Sequence, residues 1–462
     1  MSTIEGDSPT AVLPDDIVIT SPQAEQDADL NFSVMDLDTS PKMSSEEIIV
    51  HLIKSNIGAG LLSLPYAFMK GGLLSCFLLF WIIGALNLYC MHSLIRLYRY
   101  HRPRLARLKL DYGDVVRFTL ETVPLTKSYS KSGKYIVDSF IILSQLGFCC
   151  VYFVFVPIHL NELLLSIVYI PVHLLIFLMF ILLIPLVCIR SLRVLAPISL
   201  IANVFVLSSL LIVFQYIIRN PLPIKTLPMI SSSFGDLVFC ISTVVYTFEG
   251  ICFVLPMLQK TDNIPLFTHY FGVLNTSVSI CSIIFFTVGF YGFVRFGINV
   301  KTSIALNLPS DALYICTKAL FVIAVFFTYP LQFYLPCSIL WPRIQRRFLY
   351  EFSEERKQIL ELVWRVALMG STGILASLIP NIGLVISLIG AFCCTCLALV
   401  FPPILEIMSF LSFGNAGKYY HRLILDIIVL LFGLMVFIFG TFNSLVQIFK
   451  CVIYPGSKEC RD

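Results

Sequence analysis

The sequence predicts an all-α polytopic membrane protein, and three observations predict it. The 462 residues are 58% hydrophobic and only 13% charged, whereas soluble globular chains carry about 25% charged residues. Mean hydropathy is +0.88. Residues 48–450 hold eleven apolar runs with the polar residues crowded between them, and a spanning helix needs ~20 such residues. Most cytosolic enzyme classes are excluded by this composition alone.

The first element, residues 1–47, contains eleven acids and a single base, Lys42. It has too few large apolar groups to offset the entropy of ordering, so a disordered acidic cytoplasmic tail is expected. Three Ser-Pro pairs, at Ser8, Ser21 and Ser40, are either sites of proline-directed phosphorylation or incidental to a solvated tail. The remaining chain carries 17 acids against 31 bases, so the net charge of +4 conceals a basic membrane domain. No basic segment followed by a short apolar run and a small-residue cleavage site opens the chain, and span 1 is expected to act as its own signal.

Spans are expected at residues 48–69, 73–98, 135–158, 171–189, 194–218, 235–258, 270–293, 309–340, 363–379, 382–409 and 421–450, followed by a short tail over 451–462. Cytoplasmic loops retain Lys and Arg, and the basic clusters follow even-numbered spans. Arg99, Arg102, Arg104, Arg107 and Lys109 follow span 2, Arg343, Arg346 and Arg347 follow span 8, and Arg190 and Arg193 follow span 4. The N-terminus is therefore expected in the cytoplasm and the C-terminus on the opposite side. Thirteen of the fifteen cysteines lie in or against apolar runs, where a thiol behaves as a small hydrophobe. Cys451 and Cys460 flank the C-terminal segment, as a disulfide or as two free thiols. No paired CxxC spacing points to a metal, and no nucleophile or paired-His motif points to an enzyme.

Span 1 contains His51-Leu-Ile-Lys54-Ser-Asn56-Ile-Gly58-Ala-Gly60-Leu-Leu-Ser-Leu-Pro65. Two glycines and a proline weaken a helix where each unpartnered amide costs ~1–3 kcal/mol. Such a break is tolerated only against protein or a cavity, as in discontinuous transporter helices; close packing at a small-residue seam is the alternative. The amides freed around Gly58, Ala59 and Gly60 would suit a carboxylate at a half-helix N-terminus. Span 6 repeats the interruption with Tyr246-Thr247-Phe248-Glu249-Gly250 and Pro256. Matched interruptions at the start of two sets of five spans point to an inverted repeat with a midplane site. Glu249, an intramembrane carboxylate, marks a pathway or proton relay, or else a protonated group bonded to a neighbouring helix. His51 is either interfacial or a proton-exchanging group, its unperturbed pKa of ~6.5 suiting a mildly acidic gradient.

At these residues the chain resembles the proton-coupled amino acid transporter (PAT) family, within the amino acid/auxin permease group. The likeness runs through Asp111-Tyr112-Gly113-Asp114, Gln145-Leu-Gly-Phe-Cys149-Cys150, Phe248-Glu249-Gly250, Ser303-Ile-Ala-Leu-Asn307-Leu-Pro309 and Phe327-Thr328-Tyr329 with Gln332. It implies a LeuT-type fold, five plus five inverted repeats with discontinuous helices 1 and 6 and an eleventh helix. It also implies symport of small neutral amino acids (glycine, alanine, proline) with a proton as coupling ion and no other cofactor, at the plasma membrane or the lysosomal membrane. His51 matches the family's proton-coupling histidine. Asn56, Gly58, Ala59 and Gly60, with Thr247, Phe248 and Glu249, are the expected substrate-binding residues, Glu249 also serving proton coupling.

The chain departs from the family in two places. The family cysteine after Leu-Asn-Leu-Pro is replaced by Ser310-Asp311, and the loop near His159–Pro171 lacks its partner, so that family disulfide is not expected. Pro330 stands where a small residue is usual. Partners are then an amino acid, a proton and the bilayer, with cytoplasmic partners of the tail conceivable and no nucleic acid. An uncoupled facilitator and an amino-acid-sensing transceptor are the other readings.

Overall fold

In the computed structural model the described residues are 42–101, 110–165, 168, 170–190, 192–261, 263–349, 352–379, 381–413 and 420–454. Most of the 1–47 tail and residues 455–462 of the C-terminal tail, with Cys460, lie outside them. The regular structure of the described residues is helical, and their one β pairing is an isolated parallel bridge between Met43 and Thr261. The elements are α1 (Ser45–Asn56), α2 (Ala59–Gly71), α3 (Leu73–His101), α4 (Tyr112–Thr122), α5 (Ser130–Leu164), α6 (Val172–Val187), α7 (Leu192–Ile217), α8 (Phe234–Thr247) and α9 (Ile251–Lys260). They continue with α10 (Ile264–Thr268), α11 (Val273–Phe296), α12 (Ala312–Phe348), α13 (Glu354–Leu378), α14 (Ile382–Ile389), α15 (Phe401–Phe413), α16 (Tyr420–Met435) and α17 (Thr441–Ile453).

Among the described residues nine helical segments are long and apolar enough to cross a bilayer, and α1 with α2 forms a tenth, bent by 55°. The apolar α6, at 16 residues, is shorter than the ~20 of a standard span. Each of the eleven expected runs thus has a helical counterpart.

The interruptions fall where glycine and polar residues replace the apolar run. Ser55 Oγ and Asn56 Nδ2 both donate to the Leu52 carbonyl, at 2.9 and 2.7 Å, so side chains satisfy the end of α1. Gly58 begins α2 with no side-chain cap. In the second break, Phe248 and Glu249 bond back to α8 through their amides, and Asn87 on α3 donates Nδ2 to the Phe248 carbonyl at 2.7 Å. Each break therefore lies against protein, which is the condition for irregular backbone at membrane depth.

The core is built around α2, α5 and α8. Every residue from Val238 to Gly250 is buried, as is every residue from Phe148 to Pro157, and α2 packs between α8 and α11 while α12 packs on α5 and α7. Asp111-Tyr112-Gly113-Asp114 proves to be a helix start. Asp111 and Asp114 form a reciprocal capping box, Lys134 of α5 pairs with Asp114, and the Tyr112 hydroxyl donates to the Leu397 carbonyl at 2.8 Å.

Polar contacts join α5 to the segment before α12. His159 meets Ser303 Oγ through Nε2 at 3.0 Å and its own-helix Phe155 carbonyl through Nδ1 at 2.8 Å. Glu162 takes Lys318 of α12 at 3.1 Å and Lys301 at 4.0 Å.

Candidate functional site: a pocket between two interrupted helices

Both breaks open onto one cavity of about 30 Å³. Its wall comes from Ser55 and Asn56 at the end of α1, Gly58, Ala59, Gly60 and Leu61 at the start of α2, and Tyr246, Thr247, Glu249 and Phe253 around the break between α8 and α9. Phe148 and Tyr152 of α5 and Gln332 of α12 close the far side. A water needs roughly 10–15 Å³ of such space, so the cavity holds about two waters and not the five heavy atoms of glycine.

Glu249 supplies the pocket's only carboxylate among the described residues. It is 7% exposed; Oε1 accepts a bond from the Cys252 thiol at 3.4 Å, and Oε2 has no hydrogen-bond partner. Opposite it stands the uncapped N-terminus of α2. The first N–H groups of a helix have no intrahelical acceptor and carry the positive end of its dipole. The pocket therefore presents a carboxyl group on one wall and amide donors on another, the two kinds of polar group that the ends of an amino acid call for.

Close packing of the two breaks depends on glycine. A Cβ at Gly60 would lie 2.7 Å from the Tyr246 ring and 3.1 Å from Thr247 Oγ1. At Gly250 it would collide with the Asn56 side chain. Phe148 and Tyr246 stack edge to face at 5.0 Å, forming an aromatic wall beside the polar one.

The expected site residues divide into two groups. Asn56, Gly58, Ala59, Gly60, Thr247 and Glu249 line the pocket together. Phe248 does not: its ring packs 5.0 Å from Phe80 and 5.8 Å from Phe285. His51 is exposed on α1 and lies outside the lining. Five residues at 1.5 Å per residue put it roughly 7.5 Å along the helix from Asn56. Sequence reasoning did not assign Ser55, Leu61, Phe148, Tyr152, Tyr246, Phe253 or Gln332 to the site. Tyr246 and Gln332 carried a signal, as polar groups within apolar runs, whereas Phe148 and Tyr152 look like any other aromatic residue there. No group of three or more His, Cys, Asp or Glu poised for a metal occurs among the described residues.

Interrupted helices meeting at a buried polar pocket are the arrangement by which multi-spanning carriers hold solutes at membrane depth. The chain belongs to the transmembrane amino acid transporter protein family, whose model matches residues 41–446. It is 27% identical over 417 residues to the Caenorhabditis elegans "Probable amino acid transporter skat-1", covering 88% of this chain and 90% of that one. It is 28% identical over 414 residues to the Drosophila melanogaster "Proton-coupled amino acid transporter-like protein pathetic", covering 88% and 86%. The resemblance read from the sequence thus holds at the level of the family. A solved Na+-coupled sialic acid symporter in a substrate-bound outward-open state aligns over 87% of this chain and 98% of its own at 13% identity, with a TM-score of 0.39.

Proposed function

We propose that the protein is a secondary active transporter that moves small neutral amino acids of the glycine, alanine and proline class together with a proton, by alternating access. The observation that carries this reading is the partnerless, buried Glu249 oxygen facing the same cavity as the uncapped start of α2. The substrate carboxylate would lie on the amides of Gly58, Ala59 and Gly60, and its ammonium on Glu249. A pocket of about 30 Å³ must widen to admit any amino acid, in keeping with an alternating-access cycle. The relative named as proton-coupled supports a proton as coupling ion, with His51 and Glu249 as the groups that exchange it. In this reading the N-terminus faces the cytoplasm and the C-terminus the other side, in the plasma membrane or the lysosomal membrane, supported by the basic loops that follow even-numbered spans.

The test is uptake of radiolabelled glycine, alanine, proline and tryptophan into vesicles containing the purified protein, with and without an imposed pH gradient and without sodium. Gradient-driven accumulation of the three small substrates above equilibrium is expected, and His51→Ala is expected to abolish it. Saturable exchange without accumulation would establish an uncoupled facilitator instead. Absence of saturable flux, with a signal that is lost when residues 1–40 are deleted, would establish a transceptor.

A further inference from the structure

A second buried acidic centre lies among α3, α15 and α16, and shares no residue with the pocket lining. Arg96 of α3 donates Nε and Nη2 to the two carboxylate oxygens of Glu406 on α15, at 2.8 and 2.5 Å. That bidentate pair matches one positive charge to one negative charge. A second acid, Asp426 of α16, is fully buried. Its Oδ1 accepts from the Tyr89 hydroxyl of α3 at 2.7 Å, and its Oδ2 has no hydrogen-bond partner. Tyr89 is itself held beneath the Arg96 guanidinium, 5.4 Å from ring centroid to carbon. The other groups that face Asp426 are the Cys90 thiol of α3 and Arg422, a turn earlier on α16 and itself partnered.

An ionised carboxylate oxygen sealed from water with no donor is strongly disfavoured, and the group takes up a proton in preference to bearing the charge. Ca2+ or Mg2+ is a poor occupant, because each takes six or more oxygen ligands and both Glu406 oxygens are already committed to Arg96. We propose that Asp426 is a proton-binding site, its Oδ2 holding a proton while α3, α15 and α16 pack together and releasing it when their contact opens to water. The site stands apart from His51 and Glu249, on the helices that follow both interruptions, and joins α3 to the C-terminal end of the chain.

The experiment is infrared difference spectroscopy of the purified full-length protein across a pH series, comparing wild type, Asp426→Asn and Glu249→Gln. A protonated-carboxyl band is expected in wild type at neutral pH, retained in part by Glu249→Gln and diminished in Asp426→Asn. Identical carboxyl bands in wild type and Asp426→Asn would overturn the proposal, because Asp426 would then be ionised. Tyr89→Phe provides a second measure should Asp426→Asn fail to fold. The Tyr89 hydroxyl stabilises the ionised form, so its removal is expected to shift loss of the band to higher pH, and an unshifted titration would overturn the assignment. The readout requires no flux, so it is decided whether or not uptake proves to be proton-driven.

Discussion

At the residue scale the balance of the pocket turns on Glu249. Its only donors among the described residues are thiols, Cys252 at 3.4 Å from Oε1 and Cys394, and Oε2 meets no N–H or O–H. Keeping such a group costs stability, since leaving a buried polar atom unsatisfied forfeits ~1–3 kcal/mol, and intramembrane carboxylates are retained mainly where they serve a pathway. Glu249→Gln preserves the shape and removes the ionisable group. It is expected to lower uptake by roughly tenfold or more, equivalent to about 1.4 kcal/mol of lost substrate or transition-state binding, at unchanged surface expression. Unchanged uptake kinetics would return Glu249 to a purely structural role. Phe248 teaches the opposite lesson at the neighbouring position. Its ring belongs to the aromatic cluster with Phe80 and Phe285, while its carbonyl is the atom that Asn87 must satisfy.

At the scale of elements, the C-terminal end of α5 is tied to α12 by charge. Lys318 is only 5% exposed and Glu162 26% exposed. Removing one partner of a fully buried pair costs ~3–5 kcal/mol because the other charge is stranded, and partial exposure of Glu162 reduces the expected loss for Glu162→Gln to about 2 kcal/mol. The thermal midpoint of the purified protein should fall accordingly. The double variant Glu162→Leu with Lys318→Met should recover most of the loss, because it strands no charge. A double variant as unstable as the single one would show that the pair matters through packing alone.

For the whole molecule the decisive property is sidedness. Basic residues cluster after even-numbered spans, and the positive-inside rule turns that asymmetry into an orientation. An engineered Asn-x-Ser/Thr acceptor in the 219–233 connection is expected to be glycosylated in cells. The same acceptor in the 349–354 connection is expected to remain unmodified. The reverse pattern would invert the topology and with it the direction of any proton gradient acting at His51.

The sequence by itself determined the all-helical membrane class, the positions of the apolar runs and the sites of both helix breaks. These are local properties: hydropathy over some twenty residues, and glycine or polar residues where the hydrogen-bond ladder must stop. It also identified six residues that do line one pocket, because Asn56, Gly58, Ala59, Gly60, Thr247 and Glu249 sit at the breaks themselves. Only the tertiary structure decided which way the side chains turn once the helix period is lost. Thr247 and Glu249 face the cavity while Phe248 between them faces α3, an outcome that no 3.6-residue periodicity specifies. The same holds for groups brought together from distant parts of the chain, such as Tyr89 with Asp426 or His159 with Ser303. Partners of that kind are chosen by how the helices pack, and packing is a property of the whole fold.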